Sequence, residues 1–167
     1  MRGNDRVIAL LNEVLKAELT AINQYFLHSE MCENWGYLRL AALVRKESIE
    51  EMLHAEALIE RILYLDGTPT MHELLTLRIG KTVKEQIEND LAVEYEAIPR
   101  LNNAIKVALE VGDNGSRDLF QKILNDEEEH VDFLEAQLQQ IQEVGIQNYL
   151  AQQIVADGDG DTGKAGH

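Results

Sequence analysis

Apolar residues recur along this chain with the period of an α-helix. Val7, Leu10, Leu11, Val14, Leu15, Leu19, Ile22 and Phe26 follow i, i+3, i+4, i+7 spacing. A first helix is therefore expected from about Asp5 to Trp35, with Gly36 as its stop, because glycine tolerates the left-handed conformation that closes many helices. A second runs from about Leu38 to Asp66, ended by Gly67-Thr68-Pro69. A third starts at Thr82, with Glu85 three residues on as a capping box, and reaches Val111. A fourth spans Ser116 to Val144, and a short fifth spans Ile146 to Val155. Pro99 lies inside the third pattern and removes the N–H that would bond the Tyr95 carbonyl, so a bend or π-bulge is expected there. The tail from Asp157 offers only Ala165 for burial and is expected to stay unordered.

Loop lengths constrain the topology. The first and second patterns, and the third and fourth, are joined by tight turns and so form antiparallel hairpins. The 67–81 link can reach about 50 Å, and a 28-residue helix is about 42 Å long. The link can run the full length of a bundle, which makes helices two and three parallel. The fold expected is all-α, a four-helix bundle with one long crossover and a short fifth helix, in one domain over 1–156. Leu74, Leu75, Leu77 and Ile79 give the crossover an apolar side to lay on the bundle.

Charge narrows the function. Thirty acids against 15 bases give a formal net charge of −15, the wrong sign for a nucleic-acid surface and compatible with binding cations. The single cysteine, Cys32, excludes an intrachain disulfide framework and a thiolate metal site, and reads as an inert, partly buried thiol. No apolar run is long enough for a membrane span, and the N-terminus lacks a signal-peptide core, so a cytoplasmic address is expected.

Two Glu-x-x-His units carry the candidate chemistry: Glu51-Met-Leu-His54 on the second helix and Glu127-Glu-Glu-His130 on the fourth. Residues i and i+3 share a helix face, so each unit offers a carboxylate and an imidazole to one point. One such pair alone is an ordinary solvated face; two, on different helices, point to a shared site. Glu18 and Glu94 lie in apolar stretches of the first and third helices, where a lone carboxylate is costly to bury. The four glutamates carry about −4, which two divalent cations would balance. Oxygen and imidazole donors suit iron or manganese, and a di-metal carboxylate bundle has this ligand pattern. His28 and His72 have no partner at ligand spacing and read as structural or surface residues, and Glu33, Glu88, Glu128 and Glu129 as solvated or pore-lining.

Four segments carry a closer likeness: Glu18-Leu-Thr-Ala-Ile-Asn-Gln-Tyr-Phe-Leu-His28, Glu47-Ser-Ile-Glu-Glu-Met-Leu-His-Ala55, Ile59-Glu-Arg-Ile-Leu63 and Asp126-Glu-Glu-Glu-His130. Over roughly residues 1–155 the chain resembles the bacterioferritins, haem-containing bacterial ferritins. The resemblance implies iron storage in a hollow 24-subunit homo-oligomeric shell built from two-fold dimers. It implies a ferroxidase centre in each subunit, using O₂ or peroxide, with Glu18, Glu51, His54, Glu94, Glu127 and His130 as di-iron ligands. Glu51 and Glu127 would bridge the irons. Met52, rotated about 100° from Glu51, would point out of the bundle and bind a haem b shared between two subunits, beside Leu19, Ile22, Asn23, Phe26 and Ile49. That haem would assist iron release, fed by a ferredoxin-like reductant. Taken alone, Met52 would more often be a packing residue. Tyr25 reads either as packing or as a donor beside the irons. Lys46 and Glu50 stand where the family often has His and Asp for an inner-surface iron site. A protonated lysine cannot ligate iron, which argues against that auxiliary site here. Two other readings fit parts of the pattern: a rubrerythrin-type di-iron oxidase or peroxidase, for which the extra cysteines are absent, and a haem-bearing shell subunit without ferroxidase activity, against which the six-ligand set argues.

Overall fold

The computed structural model describes residues 1–156, and the expected unordered tail lies outside them. The described residues form five helices and no strand: α1 (Asp5–Asn34), α2 (Leu38–Tyr64), α3 (Val83–Glu110), α4 (Asn114–Val144) and α5 (Ile146–Ala151). The fold is the all-α bundle with a long crossover that the periodicity predicts.

The ends of the helices follow local chemistry. Asn4 caps α1 by accepting from the Arg6 N–H, and Thr82 caps α3 by accepting from the Glu85 N–H. The return bond of the capping box goes elsewhere: the Glu85 carboxylate accepts from Lys81 N–H at 2.8 Å, one residue before the cap. Gly36 has φ +86° and gives the left-handed turn expected of it. At the end of α2 that conformation falls on Asp66 (φ 58°) instead of Gly67. Gly67 is needed for space, since a Cβ there would sit 2.8 Å from Ile8 Cγ2. At the α2–α4 end, Arg61 reaches Asp113 Oδ1 at 2.7 Å and Ser116 Oγ at 2.9 Å. Partial burial pushes the Asp113 carboxyl up, but bonds from Ser116 and Arg61 outweigh it and hold it below the usual range.

The crossover runs alongside α1. Asn12 bonds Thr68 and Thr70, Thr20 accepts from Leu75 N–H, Gln24 from Arg78 N–H, and His28 from Gly80 N–H. The partners climb together, so the crossover traverses α1 from its first half to its last turns. Tyr25 pairs with Glu94, His28 with Asp90 and Cys32 with Gln86, an order that runs α3 against α1. With α2 also antiparallel to α1, α2 and α3 are parallel. His28 is the lock at the crossover's end. It is fully buried, its Nδ1 lies 2.8 Å from Asp90 Oδ1, and its Nε2 accepts from Gly80 N–H at 3.0 Å. Of the four apolar crossover residues, Leu75, Leu77 and Ile79 are half-buried, whereas Leu74 is exposed. An extended segment turns alternate side chains to opposite sides, so neighbouring leucines such as Leu74 and Leu75 cannot both face the bundle.

No π-bulge forms at Pro99. Helix α3 remains α-helical from end to end. Pro99 and Tyr95 both lie on its exposed face, where water can take the bond left open by the missing N–H. The fifth helix is shorter than expected and ends at Ala151.

Two apolar cores fill the bundle. One gathers Val7, Leu11, Leu58, Ile62, Leu101 and Phe120; the other gathers Tyr25, Val44, Ile87, Leu91 and Leu134. Between them, at mid-bundle, lies a layer of buried acids and imidazoles.

Candidate metal centre

Each of the four long helices contributes to that layer. Glu18 (α1), Glu51 and His54 (α2), Glu94 (α3) and Glu127 and His130 (α4) are all at most 8% exposed. The i, i+3 spacing places each Glu-x-x-His pair on the inner face of its helix. The ligand atoms fall into two groups within 4.8 Å: Glu18, Glu51, His54 and Glu127, and Glu51, Glu94, Glu127 and His130. Glu51 and Glu127 belong to both, the arrangement of two bridging carboxylates between two cations. His54 Nδ1 lies 3.1 Å from Glu127 and 3.4 Å from Glu51, and His130 Nδ1 lies 3.0 Å from Glu51 and 3.5 Å from Glu127.

Buried polar atoms normally have partners, yet six atoms facing this point have no hydrogen bond: Glu18 Oε2, Glu51 Oε1, His54 Nδ1, Glu94 Oε2, Glu127 Oε1 and His130 Nδ1. One comes from each of the six residues. Such a set fits cations, which use lone pairs that no protein donor satisfies. Burial pushes Glu18, Glu51 and Glu94 upward, helped by the neighbouring acids. Burial also pushes Glu127 up, but bonds from Glu94, His130 and His54 prevail and hold it low. Burial disfavours charge on His54 and His130, yet the surrounding carboxylates outweigh it and raise both. The layer thus favours retained protons on Glu18, Glu51, Glu94 and both imidazoles, and a cation entering it would compete with those protons.

Residues outside the six complete the surroundings. The Tyr25 hydroxyl donates to Glu94 Oε1 and is fully buried, so of its two readings the one beside the acids is the one the geometry supports. The far nitrogens of the two histidines reach Asp126 and Glu50, contacts that helical spacing within one element does not reveal. A cavity of about 260 Å³ between α1, α3 and the crossover has Glu18, Glu51, Glu94 and Glu127 on its wall and Arg78, Glu96 and Arg100 in its lining. His72 is exposed, and Glu33, Glu88, Glu128 and Glu129 are exposed as expected. Cys32 is more buried than expected, 1% exposed, and burial pushes its thiol up to about 12.

Met52 faces the other way. It is 54% exposed and lines a cleft of about 240 Å³ with Ile22, Asn23, Phe26 and Ile49, joined by Arg45 and Ser48. Leu19 is not in this cleft and packs on the first core instead.

Known proteins share this architecture. A model of the ferritin-like domain matches residues 8–144. A bacterioferritin of Mycolicibacterium paratuberculosis is 52% identical over 152 residues, covering 91% of this chain and 96% of the relative. One from Streptomyces coelicolor is 48% identical over 90% of each chain. The chain belongs to the bacterioferritin family. Among solved bacterioferritin structures, that of Mycobacterium tuberculosis BfrA superposes with a TM-score of 0.92 at 50% identity, over 93% of this chain and 98% of the other. The family likeness thus spans the whole bundle that positions the buried layer. No helix among the described residues is long and apolar enough to cross a membrane.

Proposed function

We propose that this bacterioferritin-family chain is the ferroxidase subunit of a cytoplasmic iron-storage shell. The observation that carries the reading is the pair of overlapping ligand groups sharing Glu51 and Glu127, with one unsatisfied donor atom from each of six buried residues. In this reading Glu18 and His54 hold one Fe²⁺, Glu94 and His130 hold the other, and Glu51 and Glu127 bridge. Two ferrous ions held side by side supply one electron each, so that O₂ or peroxide is reduced by an electron pair. The chain's own residues do the rest. Four carboxylates neutralise two dications, and the helices fix the donors before the metal arrives, which limits reorganisation. Tyr25 holds the Glu94 carboxylate by a buried hydrogen bond. The acidic surface, at net charge −15, concentrates cations near the protein.

The cleft around Met52 supports a second element, a haem b shared across a two-fold axis. Its lining is mainly apolar, and an exposed thioether at its edge is free to ligate iron. Met52 from each of two chains would hold the group, and thioether ligation raises its potential, which suits electron delivery from a ferredoxin-like reductant during iron release. The dimers so formed would build the 24-subunit shell.

The test is anaerobic titration of the metal-free protein with Fe²⁺, followed by admission of air, with light scattering for mass. Saturation near two Fe²⁺ per chain, a fast oxidation phase proportional to that pair, and a mass near 24 chains are expected. A small oligomer would favour a rubrerythrin-type oxidase. A large shell with no fast phase would leave only the structural-subunit reading.

A further inference from the structure

Both nitrogens of each imidazole in the centre have a distinct environment. Nδ1 of His54 and of His130 faces the carboxylates without a hydrogen-bond partner. Nε2 points outward and meets an acid from the opposite helix. His54 Nε2 is 2.7 Å from Asp126 Oδ2, and His130 Nε2 is 2.7 Å from Glu50 Oε2. Asp126 directly precedes Glu127 and Glu50 directly precedes Glu51, so each bridging glutamate has beside it the acid that holds the other helix's histidine. A carboxylate at Nε2 keeps the proton there and leaves Nδ1 with its lone pair toward the cluster. It also fixes the rotation of the ring, which a histidine joined only through its Cβ would otherwise have free.

The two tethers differ. Among the described residues the Asp126 carboxylate has a hydrogen bond or ion pair with His54 alone, and its side chain is 54% exposed. Glu50 divides its oxygens: Oε2 goes to His130, while Oε1 lies 3.9 Å from Lys46 Nζ one turn earlier. Lys46 is 75% exposed, so this pair is weak in water. It orients Glu50 without anchoring it, and the hold on the ring comes from the 2.7 Å bond.

Resting on the di-metal reading above, we propose that Glu50 and Asp126 are positioning residues, one for each metal. Glu50 holds His130 for the site completed by Glu94, and Asp126 holds His54 for the site completed by Glu18. Neither touches a metal. Glu50 thus takes a different role from that of an inner-surface iron ligand, since its Oε2 is committed to the imidazole.

Binding of Co²⁺ to the metal-free assembled protein tests this, followed by its visible absorption under argon so that no turnover is needed. Wild type takes up two Co²⁺ per chain. Glu50→Ala weakens one of them about 10- to 100-fold and leaves the other within about twofold. The ion weakened is the one that Glu94→Ala removes. Asp126→Ala weakens the other ion, the one that Glu18→Ala removes. Glu50→Gln, which keeps an oxygen acceptor for Nε2–H, stays within about threefold of wild type, and so does Lys46→Ala. Unchanged binding in Glu50→Ala overturns the proposal, and so does equal weakening of both ions. A Lys46→Ala loss as large as that of Glu50→Ala overturns the assignment of the hold to the Glu50–His130 bond. If wild type itself fails to bind a pair, the di-metal reading falls, an outcome read from a different sample.

Discussion

Glu47 offers a quantitative check on the buried layer, because it belongs to neither ligand group and is nonetheless strongly perturbed. It lies one turn before Glu51, is 7% exposed, and its Oε2 has no partner. Burial raises its pKa to about 8; the His130 charge opposes this, and Asp90, Glu50 and Glu127 reinforce it. The folded pKa is thus above the ordinary glutamate value of 4.5. The folded chain then holds a proton that the unfolded chain releases between those two values, so the contribution to stability is complete below pH 4.5 and is lost as pH rises to about 8. One pKa unit is about 1.4 kcal/mol, which puts the loss near 3 kcal/mol by pH 7 and near 4 kcal/mol by pH 8. Glu47→Gln removes the titration while keeping the shape. Thermal unfolding by circular dichroism in EDTA, from pH 5 to 8 and at matched oligomeric state, should show wild type falling more steeply with pH than the variant. Between pH 5 and 8 the loss is about 3.5 kcal/mol, and for a chain of this size each kcal/mol moves the midpoint by about 2–4 °C, so the curves should diverge by roughly 7–14 °C across the range. The difference in slope, and not the absolute stability, is the observable, because the glutamine amide brings its own unsatisfied groups. Parallel curves would refute the burial argument. Loading the centre with cations should flatten the wild-type curve, since positive charge nearby lowers the Glu47 pKa.

Other expectations follow from single residues. Glu127→Ala removes a member of both ligand groups and should slow Fe²⁺ oxidation at least tenfold in stopped-flow absorbance, and an unchanged initial rate would place the bridge elsewhere. Met52→Leu should abolish a haem absorption band in the purified protein and leave Fe²⁺ oxidation within about twofold, because the two faces of α2 are separate. His28→Ala orphans the buried Gly80 N–H and leaves Asp90 with the Gln24 amide alone; at about 1–3 kcal/mol for an orphaned group it should lower stability by roughly 2 kcal/mol in thermal melts and leave the Co²⁺ stoichiometry at two. Cys32, buried and with its thiol pushed up to about 12, should resist iodoacetamide at pH 8 in the native protein and react on denaturation, as read by mass spectrometry.

The spacing of Glu51 with His54 and of Glu127 with His130 was legible because helical geometry converts i, i+3 into a common face without reference to the rest of the chain. Glu18 and Glu94 were legible for a second reason: an acid within an apolar stripe must be compensated. The direction of Met52 followed from the 100° step after Glu51. The pocket around it was read less fully. Arg45 and Ser48 line the cleft and Leu19 does not, because the width of an interhelical groove depends on how α1 and α2 cross.

The linear pattern was enough for the four long helices, the Thr82 cap, the parallel course of α2 and α3 and the choice of six ligand candidates, but not for every helix start: α4 begins at Asn114 under an Asp113 cap, two residues before the expected Ser116. Periodicity, turn chemistry and loop reach are all short-range quantities. Which acid meets the outer nitrogen of each imidazole was settled by the packing of α2 against α4, across separations of 72 and 80 residues. The assembled bundle made His28 the buried lock of the crossover, let Leu74 face water, and kept α3 α-helical through Pro99. These outcomes depend on the relative placement of packed helices, which is a property of the whole core and of no local stretch of the chain.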